Sequence, residues 1–405
     1  MEKPSLEVAD IFREFGEEYR KQASTLFPEQ RRVMDDIINC RTAALGGHVD
    51  ECDACGLPVI SYNSCCNRHC PKCQSLAKAR WLQARRAELL PVEYYHVIFT
   101  LPDDLLAPLA LQNKRVVYNI LFRAASQAML GVAADPQHLG ARIGFTAVLH
   151  TWGQKLNHHP HLHCVVPGGG LAFDGNSWIS CPPGFFLDVT DLSSRYRDLF
   201  LQVLQKAFEK GELEMHGKIQ HLSHPDAFAQ LLASCSEIGW VVYSKPPFGG
   251  PDSVLDYLGR YTHRIAISNH RLVGLENGRV SFTWKDYSHE NVEKTMSFDA
   301  HEFIRRFLIH VLPRGFVRIR HFGFLANCHC AEKLRLCRKH LNVPEEPPPN
   351  EFDQMDWAQL LQSLTGKDPL ACPHCEKGRL VRVRKLSPIS QHPHSCRAPP
   401  GATAT

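Results

Sequence analysis

Two histidines, His161 and His163, are spaced so that they can hold one metal ion. They lie in the histidine-rich segment 158–163, which has the β-branched and apolar continuation of a strand. Residues i and i+2 of a strand project from the same face, and neutral imidazoles on a rigid backbone bind divalent cations. The alternative is a set of hydrogen-bonded core histidines, but the neighbouring histidines favour a metal site. His150 and His159 are the candidates for a third ligand.

Two tyrosines, Tyr257 and Tyr261, are spaced for one face of a helix. An aromatic packing stripe is the simpler interpretation of such a pair. The polar surroundings favour a different one, because a phenol with an ordinary pKa of about 10 ionises more readily beside cations and can then act as a covalent nucleophile. The surrounding side chains are Arg260, His263 and Arg264.

Cysteine is abundant, with 16 residues in the chain, and part of it is clustered. The pairs Cys52-x-x-Cys55 and Cys70-x-x-Cys73 are two knuckles separated by a short segment, and two knuckles supply the four thiolates of a tetrahedral structural zinc site. The sequence therefore predicts that these four residues bind one zinc ion. Further groups nearby are second-sphere residues, alternative ligands or part of a second site: Cys40, His48, Cys65, Cys66 and His69.

A third knuckle, Cys372-x-x-Cys375, lies close to the C-terminus. Its only potential partners, Cys328, Cys330 and Cys396, are distant or isolated. We therefore expect this pair to be a half-site without an assigned role.

The elements that must position these groups are a mixture of helices and strands. Helical periodicity covers residues 1–40, 76–90, 103–131, 191–211 and 252–262, whereas β-branched and aromatic runs cover 94–100, 143–151, 161–167, 239–243 and 279–284. The connection between the strands 143–151 and 161–167 is short, which is compatible with a hairpin. The order of the elements predicts an α+β fold with an antiparallel sheet flanked by helices.

Composition and charge narrow the class of protein. A content of 44% hydrophobic and 22% charged residues excludes a fully disordered or collagen-like chain. No apolar run approaches the length of about 18 residues that a membrane span needs, so we expect a cytoplasmic protein without a membrane partner. The net charge is only 46 − 42 = +4. Basic side chains are nevertheless concentrated in residues 61–90 and 301–340, which indicates a polyanion partner, most simply nucleic acid. For either stretch taken alone, a solvated helix face is an equally good interpretation.

The residues described above resemble a known group of enzymes. His161-Leu-His163 is similar to the signature of the HUH endonuclease superfamily, and Tyr257-Leu-Gly-Arg-Tyr261 is similar to the paired-tyrosine motif of its rolling-circle transposase branch, the insertion sequence 91 family. Longer strings over residues 1–340 carry the same resemblance: Arg41-Thr-Ala-Ala-Leu-Gly-Gly-His48, Asn67-Arg-His-Cys-Pro-Lys-Cys-Gln74, Val97-Ile-Phe-Thr-Leu-Pro102, His150-Thr-Trp-Gly-Gln154, His159-Pro-His-Leu-His-Cys-Val-Val-Pro-Gly-Gly-Gly170 and Ile319-Arg-His-Phe-Gly323.

The resemblance implies an activity and a set of roles. Tyr257 and Tyr261 would cleave and transfer single-stranded DNA through a 5′-phosphotyrosine. His161 and His163 would bind Mg²⁺ or Mn²⁺, with His150 as the preferred third ligand by its spacing. The DNA partners would be the single-stranded ends of the element and its target, at the nucleoid.

The implied organisation has three segments. Residues 1–90 would form a helical and zinc-binding DNA-recognition domain, and residues 91–343 an HUH catalytic domain with basic C-terminal helices. Residues 344–405 would be an acidic, proline-rich linker and tail. Neither the DNA sequence recognised nor the oligomeric state follows from the sequence.

Two alternatives remain at this stage. An HUH replication initiator or relaxase would use the same site chemistry for a different biological outcome. A non-catalytic zinc-ribbon DNA-binding regulator would explain the knuckles and the basic stretches but not the histidine and tyrosine pairs. The chain contains no GxxxxGK[ST] sequence, which agrees with transesterification because that chemistry needs no nucleotide hydrolysis.

Overall fold

A computed structural model describes residues 4–23, 25–184, 186–245, 253–255, 259, 265–286, 292–346 and 355–389. The chain divides into two compact units that are each assembled from separate segments. The five-stranded unit comprises Ala84–Thr262 and Leu312–Pro349, and the cysteine-rich unit comprises Met1–Gln83, His263–Val311 and Asn350–Thr405.

An antiparallel sheet is the centre of the five-stranded unit. Its strands are β3 (Tyr94–Thr100), β4 (Gly144–Trp152), β5 (His158–Pro167), β8 (Val242–Lys245) and β12 (Ile319–Gly323). Their order in the sheet is β12-β4-β5-β3-β8. A small hairpin is formed by β6 (Gly169–Leu171) and β7 (Trp178–Ser180).

Helices cover one face of this sheet. They are α4 (Asp103–Gln112), α5 (Lys114–Ala134), α6 (Val189–Glu209) and α7 (Pro225–Glu237). A further helix, Cys330–His340, contributes Leu334 and Cys337 to a separate apolar cluster. Along β5 the side chains alternate, so that Leu162, Cys164 and Val166 enter the hydrophobic core beneath these helices. His161 and His163 therefore project from the opposite face.

The described part of the cysteine-rich unit contains two small sheets and several helices. Its helices are α1 (Val8–Gln22), α2 (Pro28–Asn39) and Ala300–Leu308, and α3 (Ser75–Ala87) begins in it. One sheet has the order β13-β1-β2, with β1 (Gly47–Cys52), β2 (Pro58–Tyr62) and β13 (Leu380–Leu386); the other consists of β9 (Leu272–Glu276), β10 (Arg279–Asp286) and β11 (Val292–Asp299). Trp357–Thr365 is a further helix.

The fold class predicted from the sequence is confirmed, since helices and antiparallel sheets are mixed as expected. The compact units do not follow the consecutive segments 1–90, 91–343 and 344–405, because residues 263–311 and the C-terminal segment are grouped with the N-terminus. Those three segments stay a prediction about the order of functions along the chain.

Within the residues that the structure describes, one helix, α5, is long and apolar enough to cross a membrane by length and composition alone, contrary to the expectation from the sequence. Two thirds of its apolar window is buried inside the protein, and residues such as Tyr118, Leu121 and Phe122 lie in the core. The core helix of a soluble protein has these same properties.

Candidate functional site

The register of the central strands brings three histidines together on one face of the sheet. In the β4–β5 pairing, His150 lies directly opposite His161 and Val148 lies opposite His163. Cross-strand neighbours of an antiparallel pair have Cβ atoms about 5 Å apart, and residues i and i+2 share a face. The three imidazoles therefore meet because of the strand pairing, although His150 is distant from the pair along the chain.

The geometry of the three imidazoles fits a divalent cation. One ring nitrogen from each of His150, His161 and His163 lies within 4.8 Å of the others. The Nε2 atoms of His161 and His163 are 3.0 Å apart. Two nitrogens bound at about 2.1 Å in adjacent positions of an octahedral ion are separated by about 3.0 Å. The side chains are buried, with exposed fractions of 1%, 9% and 5%.

Hydrogen bonds orient two of the rings. The Nδ1 atom of His161 lies 2.6 Å from the carbonyl oxygen of His159. A carbonyl oxygen only accepts, so Nδ1 carries the proton and the Nε2 lone pair of His161 is directed at the cluster. The ring nitrogens His163 Nδ1 and His96 Nε2 are 2.8 Å apart, and the two rings stack. Partners of this kind fix the tautomer and orientation of ligating histidines.

Burial keeps these imidazoles neutral. It lowers the pKa of His161 to about 3 and the pKa of His96 to about 4, and it lowers the pKa of His163 well below its ordinary value. The neighbouring imidazoles act in the same direction. A neutral imidazole is the form that binds a metal, so His161 and His163 are in their ligating state at neutral pH.

The structure separates the two candidates for the third ligand. His150 belongs to the cluster, whereas the Nδ1 atom of His159 contacts the carboxylate of Asp103. His96 received no role in the sequence analysis, although it lies in a strand that the sequence predicted. His96 could have been identified from its position on the same sheet face as His163, one strand away.

Tyr257 and Tyr261 lie outside the described residues. Their roles as nucleophiles therefore stay predictions.

A second cluster consists of thiols from the loops around α2, β2 and α3. The sulfur atoms of Cys40, Cys65, Cys70 and Cys73 lie within 4.8 Å of one another, and Cys65 Sγ is 3.8 Å from Cys73 Sγ. The edge of a tetrahedron of sulfurs around zinc is about 3.8 Å for a bond of about 2.3 Å. The neighbouring Cys65 thiol holds the pKa of Cys40 far below its usual range. This set of donors fits a structural zinc ion.

Comparison with known proteins finds two family matches in the chain. Residues 144–333 match the family described as "Putative transposase", and residues 11–101 match the family described as "Transposase zinc-binding domain". The chain is 52% identical over 393 residues to "Putative transposase y4qJ" of Sinorhizobium fredii (strain NBRC 101917 / NGR234), covering 97% of this chain and 98% of that protein. The chain belongs to the insertion sequence 91 family of transposases.

A second relative has a more specific description. This transposase is 28% identical over 357 residues to the "Transposase for insertion sequence element IS801" of Pseudomonas savastanoi pv. phaseolicola, which spans 87% of this chain and 83% of that protein. The two family matches and the two relatives confirm the resemblance to insertion sequence 91 family transposases that was inferred from the sequence. DNA is the partner on which transposases act. No solved structure matches the chain.

The matched segments divide the clusters between them. His150, His161 and His163 fall within the transposase match, as do positions 257 and 261, and Cys40 to Cys73 fall within the zinc-binding match. The expectation of a structural zinc ion in the N-terminal part of this transposase is therefore supported by both the family match and the thiol geometry.

The pairing of the two knuckles requires a correction. The sequence analysis placed Cys52, Cys55, Cys70 and Cys73 around one ion, but the structure assigns the first knuckle to a different group, with Cys372 and Cys375. The reason is the hairpin of β1 and β2. Cys52–Cys55 lies at its turn, while β2 carries the chain to the opposite end, where Gly47 pairs with Tyr62.

The remaining groups near the knuckles have other contacts. Cys40 and Cys65 join the thiol cluster, whereas His48 lies 3.2 Å from Asp50 and the Nδ1 atom of His69 lies 2.8 Å from Asn67 Oδ1. Cys40 and Cys65 therefore take part in a second site, which is one of the alternatives that the sequence left open.

Many basic side chains of the two cationic stretches have contacts within the protein. Lys72 pairs with Glu7 at 2.7 Å, Arg305 and Arg306 pair with Glu302, and Arg338 donates to the Ala87 carbonyl oxygen. Intramolecular pairs of this kind reduce the charge available to a polyanion. In α3, Arg80 is exposed, so this helix keeps a cationic side chain at its surface that suits contacts with DNA phosphates.

Proposed function

We propose that this transposase cleaves and rejoins single-stranded DNA with Tyr257 and Tyr261 as nucleophiles, beside a divalent cation held by His150, His161 and His163. The observation that carries the proposal is the triad of buried imidazoles within the segment that matches the transposase family. The paired tyrosines lie in the same matched segment of the sequence.

The chemistry is a pair of transesterifications. A tyrosine phenol loses its proton, its oxygen bonds to the phosphorus, and the bond to the 3′ oxygen breaks, leaving a 5′-phosphotyrosine and a 3′-hydroxyl. A 3′-hydroxyl then attacks the phosphotyrosine and regenerates the phenol. Each step exchanges one phosphate ester for another, so no nucleotide hydrolysis is needed.

The described residues have defined parts in this proposal. His161 and His163 present ring nitrogens from one strand, and His150 adds a third from its neighbour, so the donors are placed before DNA binds. A bound cation would polarise a phosphate oxygen and orient it for in-line attack. Because imidazole donors are softer than the oxygen ligands that Mg²⁺ prefers, Mn²⁺ is the better probe of this site.

The test is a covalent adduct between protein and DNA. Single-stranded oligonucleotides that tile the DNA flanking the protein's own coding sequence are incubated with the full chain and Mn²⁺. We expect an adduct on denaturing gels that disappears in the Tyr257→Phe, Tyr261→Phe double variant. Tyr62→Phe, which changes an exposed tyrosine of β2, serves as the control and should keep the adduct.

Peptide mass spectrometry identifies the nucleophile. Trypsin cuts after Arg260, so Tyr257 and Tyr261 are released on separate peptides, and the peptide that carries the nucleotide names the attacking residue. An adduct on neither peptide would refute the assignment of the tyrosines. Absence of any adduct with intact DNA binding would instead favour the zinc-dependent regulator.

The proposed place of action follows from this substrate. Single-stranded element ends and target DNA are found at the nucleoid, so we propose that the protein acts in the cytoplasm at that site. A relaxase or replication initiator would form the same adduct, but the family membership favours transposition.

A further inference from the structure

Two cysteine pairs from opposite ends of the chain meet in the cysteine-rich unit. Cys52 Sγ lies 3.6 Å from Cys375 Sγ, and Cys55 Sγ lies 3.8 Å from Cys372 Sγ, although the latter two residues are 317 positions apart in the sequence. All four sulfurs lie within 4.8 Å of one another. The group is separate from the cluster of Cys40, Cys65, Cys70 and Cys73.

The distances fit a metal and do not fit a disulfide. A disulfide requires sulfur atoms about 2.05 Å apart, whereas sulfurs at the corners of a zinc tetrahedron are about 3.8 Å apart. Each pair is also a CxxC turn, and two such turns facing each other are the usual framework of a tetrathiolate zinc site.

Backbone amide groups support the sulfurs as they do around thiolates. The amide nitrogens of Ala54 and Cys55 lie 3.4 and 3.5 Å from Cys52 Sγ, and the amide nitrogen of His374 lies 3.4 Å from Cys372 Sγ. Hydrogen-bond donors directed at a sulfur atom in this way favour its thiolate, which is the form that binds metals.

Hydrogen bonds join the two backbone segments that carry the cysteine pairs. β13 pairs with β1 in antiparallel register, with Cys52 opposite Leu380. Beside the sulfurs, Arg379 N donates to Asp53 Oδ1 at 2.7 Å and Asp53 N donates to the Arg379 carbonyl oxygen at 3.0 Å. A Cβ atom at Gly378 would lie 2.4 Å from Cys52 Sγ, so the close approach of the tail requires glycine there.

We infer that Cys52, Cys55, Cys372 and Cys375 form a second structural zinc site, which makes the C-terminal segment part of the zinc-binding domain. The tail to which the sequence assigned no role supplies half of the ligands and the third strand of the β13-β1-β2 sheet. The zinc-binding family match ends at residue 101, so it contains only half of this site. The inference does not depend on the tyrosine chemistry.

The first test is the metal content of the purified full chain. Elemental analysis should give at least two zinc ions per chain for the unchanged protein, and one zinc ion fewer for the Cys372→Ala, Cys375→Ala variant. The Cys66→Ala, Cys328→Ala variant removes two exposed thiols outside both groups and should retain the zinc content of the unchanged protein. Fewer than two zinc ions in the unchanged protein, or equal zinc content in the unchanged protein and the tail variant, would overturn the inference.

The second test uses the unchanged protein and therefore does not depend on a variant folding. Cys52, Cys55, Cys372 and Cys375 should resist alkylation together and become reactive together when a zinc chelator is added, while Cys66 and Cys328 react throughout. Tail cysteines that react before chelation, or that are released by a reductant and not by the chelator, would contradict a zinc site.

Discussion

Four imidazoles, those of His96, His150, His161 and His163, lie close together on one face of the five-stranded sheet. Each of the three triad rings is buried, and buried polar groups are retained only when they have partners. A divalent cation would satisfy the converging nitrogens at once. At the scale of single residues, the proposed site thus consists of three imidazole donors and of the ring that positions one of them.

His161→Ala tests the role of a ligand. In the proposed mechanism this change removes one of the three donors from the cation, so cleavage of single-stranded DNA with Mn²⁺ should fall below detection. DNA affinity should change less than about threefold, because phosphate contacts elsewhere supply most of the binding energy. Gel assays and fluorescence anisotropy measure the two properties. Equal loss of both would show that the histidine is structural.

His96→Ala tests the orientation of a ligand. The variant removes the ring that lies 2.8 Å from His163 Nδ1, and loss of such a partner typically weakens metal affinity or activity by about 10–100-fold. We expect the Mn²⁺ concentration for half-maximal cleavage to rise by that factor, with cleavage restored at high Mn²⁺. His216→Ala, which changes an exposed histidine, is the control. An unchanged Mn²⁺ dependence would exclude a positioning role for His96.

His158 provides a test of pH dependence. Its burial against α5, followed by the charge of Lys114, lowers its pKa to about 3. The unfolded chain therefore binds a proton at this group below about pH 6.5 and the folded chain does not, so stability present above that pH is lost as the pH falls towards 3.

Replacing His158 by glutamine should remove this contribution. Between pH 7.5 and 5.5 the free energy of unfolding of the unchanged protein should decrease by about 1 kcal/mol more than that of the variant. Urea midpoints followed by tryptophan fluorescence measure the difference, with His216→Gln as the control. Parallel pH profiles for all three proteins would contradict the prediction.

At the scale of elements, the edge strand β12 is fixed to the sheet through both its backbone and its side chains. His321 Nδ1 lies 2.9 Å from Thr146 Oγ1, and Arg85 Nη1 lies 3.0 Å from His321 Nε2. Arg320 stacks over the Phe122 ring and donates to Asn119. The strand ends at Gly323, which has a φ of +61° directly against the backbone of β4.

Gly323→Ala should destabilise this edge strongly. A Cβ atom would lie 1.8 Å from the Ile143 carbonyl oxygen, and the clash adds to the cost of a left-handed backbone for alanine, for a total of about 3 kcal/mol. Gly175→Ala is the matched control, because Gly175 also has a positive φ, of +76°, but faces open space. The free energy of unfolding of the Gly175→Ala variant should decrease by only about 1 kcal/mol. Thermal or urea unfolding measures the stability of both variants, and equal decreases would refute the argument.

Elements with a local signal could be predicted from the sequence, and contacts between distant elements could not. The β-branched run Tyr94–Thr100 is β3 with the same bounds, and the alternation in β5 gave His161 and His163 a common face. His96 was missed because its role depends on strand order. The partner of Cys52 and Cys55 was missed because β13 pairs with β1 across most of the chain, and spacing alone favoured the nearer knuckle.

At the scale of the whole molecule, two compact units have different sources of stability. The five-stranded unit has a large apolar core beneath α5 and α6, whereas the cysteine-rich unit has two tetrathiol groups with small sheets. Structural zinc sites contribute folding free energy directly. Removal of zinc should therefore affect the two units unequally.

Hydrogen exchange with and without a zinc chelator measures this difference. We expect amide protection to be lost in residues 40–75 and 372–386 after chelation, while residues 144–167 remain protected because apolar burial holds that sheet. Elemental analysis confirms that zinc has been removed. Amide protection that persists in residues 40–75 after chelation would argue against zinc as the source of their stability. Equal loss of protection in residues 40–75 and 144–167 would do the same.

The meeting of Cys52 and Cys55 with Cys372 and Cys375 has a consequence for synthesis. Cys55 and Cys372 are 317 positions apart, so the first pair leaves the ribosome long before its partners are made. A chain cut short before residue 372 would present an open pair of thiols and would lack β13, the strand that pairs with β1. In the inferred arrangement, synthesis of the chain through residue 386 is therefore a condition for a mature zinc-binding domain.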